Sequence, residues 1–463
     1  MNYDAVIIGA GMSGLAAGIR LAYFGRRVCI LEKHYAFGGL NSYYKLDGRE
    51  YDVGLHAVTN YVPPGIRSTP LPKLLRQLRL TREDFDLCEQ GHSEIRFPDK
   101  RLRFTNDLSV LTGEVAEEFP HDADGFCRLV AEIKGYDDTK LDQPYQSARE
   151  TLNTYLREPL LIEMLLCPVM YYGSAEPNDM DFAQFCTMFK SLFCEGFARP
   201  RDGVRTIVKA LVRKFRTCGG KIRMNCGVQR VEIEKGKVAA LVLENGERLT
   251  ADVVFSCAGF HETMQMCSEQ PPSVAAVKKG EISFVETIFI LDRPPADFGH
   301  HATIVFFNHG AAFDYRRPQG GEPVDERSGV VCCPNNYKSH EHLTEGIFRL
   351  TWLADHQAWM GYDEDTYRKT KATYLARALD EAERYLPGMR DHVVVHDMFT
   401  PRTIKRYTGH LNGAVYGVPR KIRDGRTPFD NLFICGTDQG FLGIIGAMLS
   451  GITMANLHVL SVD

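Results

Sequence analysis

The sequence predicts an α/β protein in which a Rossmann-type nucleotide-binding domain is interleaved with an α+β substrate-binding domain. Three observations predict this class. A glycine-rich βαβ pattern opens the chain, an apolar strand with a glycine-rich turn lies near its end, and 463 residues exceed one typical domain. Because both glycine-rich patterns suit one nucleotide site, we expect a discontinuous nucleotide-binding domain formed by residues 1–60, 200–260 and 420–463. The substrate-binding domain is then formed by residues 61–199 and 261–419.

The opening unit has the spacing of a strand, a tight turn, a helix and a second strand. Tyr3 to Ile8 predicts a buried parallel strand, apolar positions continue as a helix as far as Gly25, and a second strand runs from Arg27 to Leu31. The turn between the first strand and the helix reads G-x-G-x-x-G. This motif is specific only within a complete βαβ unit, and here the unit is complete.

Each glycine of the motif has a separate role in holding a pyrophosphate. Gly9 makes the tight turn, Gly11 lets the backbone approach the phosphates, and Gly14 lets the helix pack on the strand. Met12 and Ser13 stand at the start of the helix, where free N–H groups and the helix dipole attract negative charge. We therefore predict that this turn binds the pyrophosphate of a dinucleotide.

An acidic residue, Glu32, ends the second strand, and Lys33 follows it. A carboxylate at this position can accept hydrogen bonds from both ribose hydroxyl groups of an adenosine. The same negative charge disfavours a 2′-phosphate, so the sequence favours FAD or NAD over NADP. Glu32 and Lys33 are both predicted cofactor contacts.

A glycine pair, Gly38 and Gly39, comes shortly after this acid and is followed by Leu40 and Asn41. The pair resembles the second phosphate-contacting turn of FAD-dependent oxidoreductases in the amine oxidase and phytoene desaturase superfamily. The resemblance implies FAD as the cofactor, a glutathione reductase-like FAD-binding domain, and cofactor contacts from all four residues. Many amine oxidases carry Arg after the glycine pair, and Leu40 and Asn41 depart from that pattern.

The segment from Tyr51 to His56 contains the pattern Asp-x-Gly-x-His. It resembles the carotenoid isomerase and retinol saturase branch of the same superfamily. The resemblance implies that His56 lies in a loop close to the flavin, so we predict that it contacts the cofactor and takes part in catalysis. A neutral imidazole can accept a proton near neutral pH.

The end of the chain supplies a second part of the cofactor site. Residues 431–435 predict a short strand, which a Gly-Thr-Asp turn and a helix follow. In flavoproteins of this superfamily, the acid of such a turn holds the ribityl chain and the next helix points its N-terminus at the flavin O2 edge. The resemblance therefore implies cofactor contacts from Gly436, Asp438, Gly443, Ile444 and Ile445. A solvated turn at the end of the strand is the alternative.

A third part of the predicted cofactor site comes from the middle of the chain. Residues 201–231 predict an amphipathic helix and a strand that reaches Val228, and a strand, a hairpin and another strand follow up to residue 258. The resemblance implies that the backbone of Val228 binds the adenine ring of FAD.

Two apolar segments indicate how the other half of the chain is used. Leu160 to Tyr172 and Phe182 to Phe197 predict helices rich in Met, Phe and Cys. They are either core helices or walls of a tunnel for a long hydrophobic molecule, since most ligand pockets are largely apolar. The superfamily's polyene-acting members place their substrate in this half. Pro70 to Leu80 mixes leucines with basic residues and predicts either a solvated helix or a face that rests on a membrane.

Two further candidate catalytic residues, His410 and Tyr416, come just before the last predicted strand. The Gly-Ala-x-Tyr-Gly sequence that includes Tyr416 resembles retinol saturase and related desaturases, in which this stretch approaches the flavin. His410 is, like His56, a candidate proton acceptor. For each of the three side chains, the alternative is a packed or capping residue.

Composition argues against several other classes of protein. The net charge of −4 gives no basic surface for nucleic acid, and the 13 cysteines contain no C-x-x-C pair, so neither a metal site nor a disulfide framework is predicted. The chain enters a strand within its first few residues, so we expect no signal peptide and a cytoplasmic protein. The apolar stretch 441–460 fits a buried helix of the flavin domain better than a transmembrane span.

These observations lead to one hypothesis and two alternatives. We expect an FAD-dependent oxidoreductase that acts on an apolar polyene or isoprenoid by hydride or electron transfer at flavin N5, as carotenoid desaturases, saturases and isomerases do. The first alternative is a flavin amine oxidase. The second, of another class, is a non-redox prenyl-lipid carrier that resembles the Rab GDP-dissociation inhibitors. The glycine turns and the two acids favour a cofactor-binding enzyme, and the sequence leaves the oligomeric state open.

Overall fold

The computed structural model describes residues 2–54, 56–137, 144–339 and 343–461. Its strands are, in chain order, β1 (Asn2–Ile8), β2 (Val28–Leu31), β3 (Tyr43–Leu46), β4 (Arg49–Asp52), β5 (Leu87–Glu89), β6 (Ser93–Arg96), β7 (Arg101–Phe104), β8 (Ala198–Pro200), β9 (Lys221–Arg223), β10 (Val228–Glu234), β11 (Lys237–Leu243), β12 (Arg248–Ser256), β13 (Ser283–Leu291), β14 (Ile304–Asn308), β15 (Val324–Cys332), β16 (Gly346–Ala354), β17 (Val393–Phe399) and β18 (Leu432–Ile434).

The helices of the described residues are α1 (Met12–Tyr23), α2 (Pro70–Leu78), α3 (Leu108–Glu118), α4 (Ala123–Gly135), α5 (Ala148–Tyr155), α6 (Pro159–Gly173), α7 (Phe182–Phe189), α8 (Arg205–Thr217), α9 (Phe260–Met266), α10 (His356–Gly361), α11 (Glu364–Ala382), α12 (Pro401–Thr408) and α13 (Gly443–Ala455). Short 3-10 and π-helical turns join several of them.

The first sheet is built around the opening strand. β18, β12, β1, β2 and β9 lie side by side in that order and run parallel, and β11 and β10 add an antiparallel extension to the first half of β12. β1 and β2 are almost entirely buried, as expected of parallel strands that are covered on both faces. Helices α1, α8 and α13 contribute buried residues to one core with these strands. This sheet therefore joins strands from the beginning, the middle and the end of the chain.

The second sheet has the order β17-β13-β16-β15-β14-β6-β7 and is mainly antiparallel. Alternate residues of its strands enter different cores, because successive side chains of a strand point to opposite faces. Phe284 of β13 packs with α6 and α7, whereas Val285 packs with α10 and α11. The sheet is therefore covered on both faces by helices. The division of the chain at residues 60, 200, 260 and 420 stays a prediction.

Two predicted elements have different limits in the structure. The helix predicted from Phe182 to Phe197 is α-helical only as far as Phe189; a π-helical turn follows, and Gly196, with φ +101°, ends it. Val228 begins β10 rather than ending a strand. Apolar periodicity does not distinguish an α-helix from a π-helical turn, and this explains the first difference.

The apolar C-terminal segment packs against the opening helix. By length and composition, residues Gly443–Leu460 could cross a membrane, and half of them are buried inside the protein. A Cβ on Gly451 would overlap the carbonyl oxygen of Ser13, so α13 and α1 approach each other as closely as their backbones allow. The two ends of the chain are therefore in direct contact.

The membrane-facing alternative for Pro70 to Leu80 is wrong as far as its apolar face is concerned. Leu71, Leu74, Leu75 and Leu78 are at most 5 % exposed and belong to the core of the first sheet. The apolar face of α2 is thus covered by the protein itself. Only its basic side is exposed, and any membrane contact there would be electrostatic.

Candidate active site

The two glycine turns of the sequence lie side by side. The amide of Gly38 donates a 3.0 Å hydrogen bond to the carbonyl oxygen of Ala10, and Gly38 forms a parallel bridge with Gly11. Gly9 and Gly38 both have positive φ angles, +102° and +104°, which favour glycine. A Cβ on Gly14 would overlap the carbonyl oxygen of Gly9, so the helix can start there only without a side chain. The result is a bare backbone surface at the N-terminus of α1.

The Gly-Thr-Asp turn that begins at Gly436 packs against the N-terminal turn of α1. Met12 and Ser13 are buried, and a Cβ on Gly436 would lie 3.1 Å from the hydroxyl oxygen of Ser13. Gly436 also donates its amide to the hydroxyl group of Ser450 on α13, at 2.8 Å. The structure thus brings the predicted pyrophosphate and ribityl turns together, although they are more than 400 residues apart in sequence.

Glu32 is fixed by backbone amides and keeps acceptor capacity. Its two carboxylate oxygens accept hydrogen bonds from Ala10 (2.7 Å) and His34 (2.8 Å), and its side chain is half-buried. An ionised carboxylate offers about four acceptor positions, so roughly two remain for ribose hydroxyl groups. Lys33, in contrast, is exposed and lies 3.5 Å from Glu244. Glu32 thus has the acceptor positions that the predicted ribose contact needs, and the cofactor contact of Lys33 stays a prediction.

The predicted adenine segment lies next to this acid. The amide of Cys226 donates to the carbonyl oxygen of Glu32 at 2.8 Å, and the half-buried Val228 follows two residues later. The amide of Glu32 donates in turn to Arg223 at the end of β9. The backbone on both sides of Glu32 is therefore fixed beside the segment that we predict to bind adenine.

The second glycine turn contacts the segment of the Asp-x-Gly-x-His pattern. Gly39, Leu40 and Asn41 form a 3-10 turn, and a Cβ on Gly54 would lie 2.7 Å from the carbonyl oxygen of Leu40. Farther along, the hydroxyl oxygen of Thr59 would lie 3.6 Å from a Cβ on Gly443, the first residue of α13. The loop that carries His56 thus connects the second glycine turn to the start of α13.

The start of α13 has the form predicted for a flavin-facing helix. Gly443 has φ +72°, and Ile444 and Ile445 are buried in the core of the first sheet. Backbone amides in the first turn of a helix have no partner within the helix, and the helix dipole adds positive charge there. The apolar side chains point into the core, so these residues would contact a cofactor through their backbone.

Asp438 is 2 % exposed and has a structural role that the sequence did not reveal. One of its oxygens accepts the amide of Phe260 at 2.5 Å and the other accepts the amide of Val418 at 2.7 Å. The carboxylate therefore joins three chain segments. Its predicted ribityl contact stays a prediction, and it must use the acceptor capacity that these two bonds leave.

His56 belongs to a buried polar cluster. Its Nε2 lies 3.0 Å from the hydroxyl oxygen of Thr351 on β16 and 3.8 Å from Glu286 on β13. Burial lowers the pKa of His56 to about 4, although the negative charge of Glu286 opposes this shift. The imidazole is therefore neutral near pH 7, as a proton acceptor must be.

Two buried ion pairs surround this histidine. Arg349 pairs with Glu286 and donates to the carbonyl oxygen of Asp52 at 3.1 Å, while Arg199 pairs with the carboxylate of Asp52. Buried charges of this kind require partners, because desolvation of an isolated charge is costly. The cluster therefore fixes the loop that carries His56 to the second sheet.

The second histidine lies in a different cluster. His410 Nδ1 is 3.7 Å from Glu262 of α9, and Glu262 also accepts the amide of Leu411 at 2.6 Å. Burial opposes the charged form of His410, but the hydrogen bond and charge of Glu262 raise its pKa above the ordinary value. The two histidines thus differ in opposite directions: His56 is neutral near pH 7 but a weak base, whereas His410 has the higher proton affinity.

Tyr416 has its hydroxyl group committed to a backbone contact. The hydroxyl donates to the carbonyl oxygen of Tyr171, and the ring lies 5.9 Å from that of Phe284. Burial raises the pKa of Tyr416, so the phenol keeps its proton. A catalytic role for this residue would require that bond to break, and the packing alternative explains its position.

Sequence reasoning missed several polar residues at this site, namely Arg199, Glu286, Arg349, Thr351 and Lys421. The Nζ atom of Lys421 donates to the carbonyl oxygens of Tyr416 (2.5 Å) and Thr437 (3.1 Å), and burial lowers the pKa of this lysine to about 8. A usable signal was present on the strands: Glu286 and Arg349 each interrupt an otherwise apolar run, and a charge buried in a strand needs a partner.

The arrangement of these residues fits FAD. The glycine turns leave bare backbone at the start of α1, Glu32 keeps acceptor positions for a ribose, and the turn at Gly436 packs on the start of α1. When bound, FAD supplies transfer of a hydride or of electrons through its flavin ring. The chain itself supplies the phosphate turn, the ribose acceptor and a neutral imidazole.

Comparisons with known proteins also indicate a flavin-containing enzyme. A family model described as flavin-containing amine oxidoreductase matches residues 12–457. Prolycopene isomerase 2 from an Oncidium hybrid cultivar is 22 % identical over 98 % of this chain and 83 % of its own length, and phytoene desaturase (lycopene-forming) from Pantoea ananas is 25 % identical over 89 % and 88 %. An oxidoreductase structure from Methanosarcina mazei is similar with a TM-score of 0.68, at 17 % identity over 98 % of this chain and 99 % of that one.

The predicted fold class, the superfamily and the cofactor are thereby confirmed, while the individual cofactor contacts stay predictions. The family model covers nearly the whole chain and describes an enzyme that contains a flavin, which argues against the carrier alternative. The chain belongs to the flavin-containing amine oxidoreductase family and is an FAD-dependent oxidoreductase.

Proposed function

We propose that this oxidoreductase acts on an apolar polyene or isoprenoid. Relatives that match it over most of its length are named prolycopene isomerase, phytoene desaturase and all-trans-retinol 13,14-reductase. At 22–25 % identity these names support the proposal without deciding which reaction takes place.

The observation that carries the proposal is the extent of one apolar cluster. It contains most of α6 and α7, and it reaches Ala57 next to His56 and Leu442 next to the start of α13. Val415 and Tyr416 also pack against it. Apolar side chains that reach the predicted flavin-facing elements offer contacts to a hydrocarbon chain, because binding removes its surface from water.

The chain's own residues contribute in three ways. The aromatic and aliphatic side chains of α6 and α7 exclude water from the substrate. The ion pairs of Asp52 and Glu286 hold the loop of His56, and the neutral imidazole of His56 can accept the proton that desaturation releases. Thr351 orients that imidazole through its hydroxyl group.

An amine is the second candidate substrate, and one observation favours it. The rings of Tyr171, Phe284 and Tyr416 form a contiguous aromatic group, with centroids 6.0 and 5.9 Å apart. Such a group can bind an amine through cation–π attraction, or a polyene through apolar contact. Leu40 and Asn41, in place of the arginine that many amine oxidases carry, favour the polyene.

Anaerobic mixing of the purified holoenzyme with each substrate class tests the proposal. A micelle-dispersed polyene should either bleach the flavin band near 450 nm or change its own double-bond geometry while the flavin stays oxidised. Bleaching by amines together with no change of any polyene would contradict the proposal. Reduced enzyme mixed with the same polyene distinguishes saturation from desaturation.

The place of the protein in the cell is a separate proposal. A cytoplasmic protein that contacts an anionic membrane electrostatically would reach an apolar substrate dissolved in lipid. The exposed basic residues Lys73, Arg76 and Arg79 on and beside α2 support such a contact.

A further inference from the structure

A cavity of about 490 Å³ lies between the end of α6, the first turn of α7 and the segment that follows Gly417. Its size is within the range of ligand pockets, although its walls carry several polar and charged side chains. The lining residues that matter here are Glu176, Asp181, Gln184, Arg420, Lys421 and Arg423.

Two of the three cations in the wall are neutralised by carboxylates. Arg423 pairs with Asp181, and Arg420 lies 3.4 Å from Glu176 and also covers the ring of Tyr145. In each pair the positive and negative charges offset each other, so neither arginine attracts an anionic ligand strongly.

Lys421 differs from both arginines. Lys421 is half-buried, and its ammonium group bonds to two backbone carbonyl oxygens, with no carboxylate within ion-pair distance among the described residues. An ammonium group has three donors, so one remains. The negative charges of Asp438 and Glu176 act on it only from farther away. A partly buried cation with a spare donor favours an anionic acceptor.

Gln184 supplies a second donor at the same cavity. Its Nε2 is buried and, within the described part of the chain, has no hydrogen-bond partner. An unpaired buried donor is unfavourable, and a hydrogen bond to a ligand would satisfy it. Two donors with unused capacity that line one cavity are therefore the components of a binding site for an oxygen acceptor.

The cavity lies at the end of the apolar interior. Lys421 bonds to Thr437, which directly precedes Asp438, and a Cβ on Gly173 in the cavity wall would lie 3.2 Å from Leu442, the residue before α13. Leu442 belongs to the apolar cluster that we assign to the hydrocarbon chain. One molecule could thus place an apolar chain against these side chains and a polar end in the cavity.

We propose that this cavity binds the carboxylate end of the substrate, with Lys421 and Gln184 as its donors. The substrate class is then a polyene or isoprenoid carboxylic acid rather than an unsubstituted hydrocarbon. This inference rests on the proposed function and deepens it.

Ligand binding to the holoenzyme tests the inference through perturbation of the flavin band. The probes are micelle-dispersed retinoic acid, retinol and the C20 hydrocarbon with the same polyene chain. We expect the native enzyme to bind the acid about 10- to 100-fold more tightly than the hydrocarbon, the range expected for hydrogen bonds to a charged group. Retinol should lie between the two.

Two variants and one control make the test specific. Lys421→Met and Gln184→Leu should each reduce the preference for the acid over the hydrocarbon at least several-fold. Lys100→Met removes another lysine that donates to a backbone carbonyl, outside the cavity, and should keep the full preference. Because the two cavity variants alter different elements, a folding defect in one leaves the other informative.

The outcomes separate this inference from the function on which it rests. Equal affinity for acid and hydrocarbon in the native enzyme, or an undiminished preference in both cavity variants, would overturn the carboxylate site and leave the polyene proposal intact. If none of the three probes binds, both are overturned.

Discussion

Replacement of Glu32 by Ala gives the sharpest test of the nucleotide site. The carboxylate accepts amides from Ala10 and His34 and keeps about two acceptor positions for ribose hydroxyl groups. Hydrogen bonds to a charged acceptor contribute about 1.5–3 kcal/mol each. Loss of two such bonds should weaken FAD binding by about 3–6 kcal/mol, or roughly 10²- to 10⁴-fold in Kd. Folding should suffer less, by about 1–2 kcal/mol, because water can reach the half-buried amides.

The assay for this variant has two readouts. The absorbance near 450 nm per protein measures bound FAD after gel filtration, and thermal unfolding of the apoprotein measures stability. Glu234→Ala is the control, since Glu234 is also an acid, is exposed, and ends β10, the strand that Val228 begins. That variant should keep its flavin. Full flavin occupancy in Glu32→Ala, with a normal fold, would refute the assignment of the ribose site.

Three further predictions follow from the same contacts. Gly14→Ala would place a Cβ on the carbonyl oxygen of Gly9, so it should lower the free energy of unfolding by about 1–3 kcal/mol and remove most of the bound flavin. The control Gly113→Ala, in an open part of α3, should leave stability unchanged or raise it. Equal stability and flavin content in the two variants would count against a tight turn at Gly14. The pKa of His56 is about 4 in the folded protein and 6.5 in the unfolded one, so the unfolded state takes up the proton first. The contribution of His56 to the free energy of unfolding should be complete above pH 6.5 and should fall by about 3 kcal/mol between pH 6.5 and pH 4. Urea titrations of a His56→Gln variant at several pH values should lack this pH-dependent loss. Arg76→Glu on the exposed side of α2 should reduce cosedimentation with anionic but not neutral vesicles, and unchanged sedimentation would argue against an electrostatic membrane contact.

The parts of the fold that the sequence predicted are those with local rules. Gly9, Gly11 and Gly14 stand at fixed distances from a strand and a helix, so their turn follows from spacing alone. The glycine pair was recognisable by resemblance, and the structure adds its contact with the first turn through Gly38.

The parts that the sequence did not predict depend on contacts between distant residues. Arg199 meets Asp52 across 147 positions, and Arg349 meets the same residue across 297. A single sequence indicates that a buried charge needs a partner but not which one it finds. For the same reason, the sequence did not predict that Asp438 accepts the amide of Val418 or that Lys421 donates to the carbonyl oxygen of Thr437.

Conversion of a polyene by the holoenzyme and by FAD-stripped protein is the most direct test of the central claim. A micelle-dispersed polyene is incubated anaerobically with oxidised enzyme, with reduced enzyme and with the apoprotein. The products are separated by chromatography, and their masses are measured by mass spectrometry. We predict a product that has lost two hydrogens, gained two or changed only its geometry, and that forms only when FAD is bound. An unchanged polyene under all three conditions, with an amine oxidised by the same holoenzyme, would contradict the account.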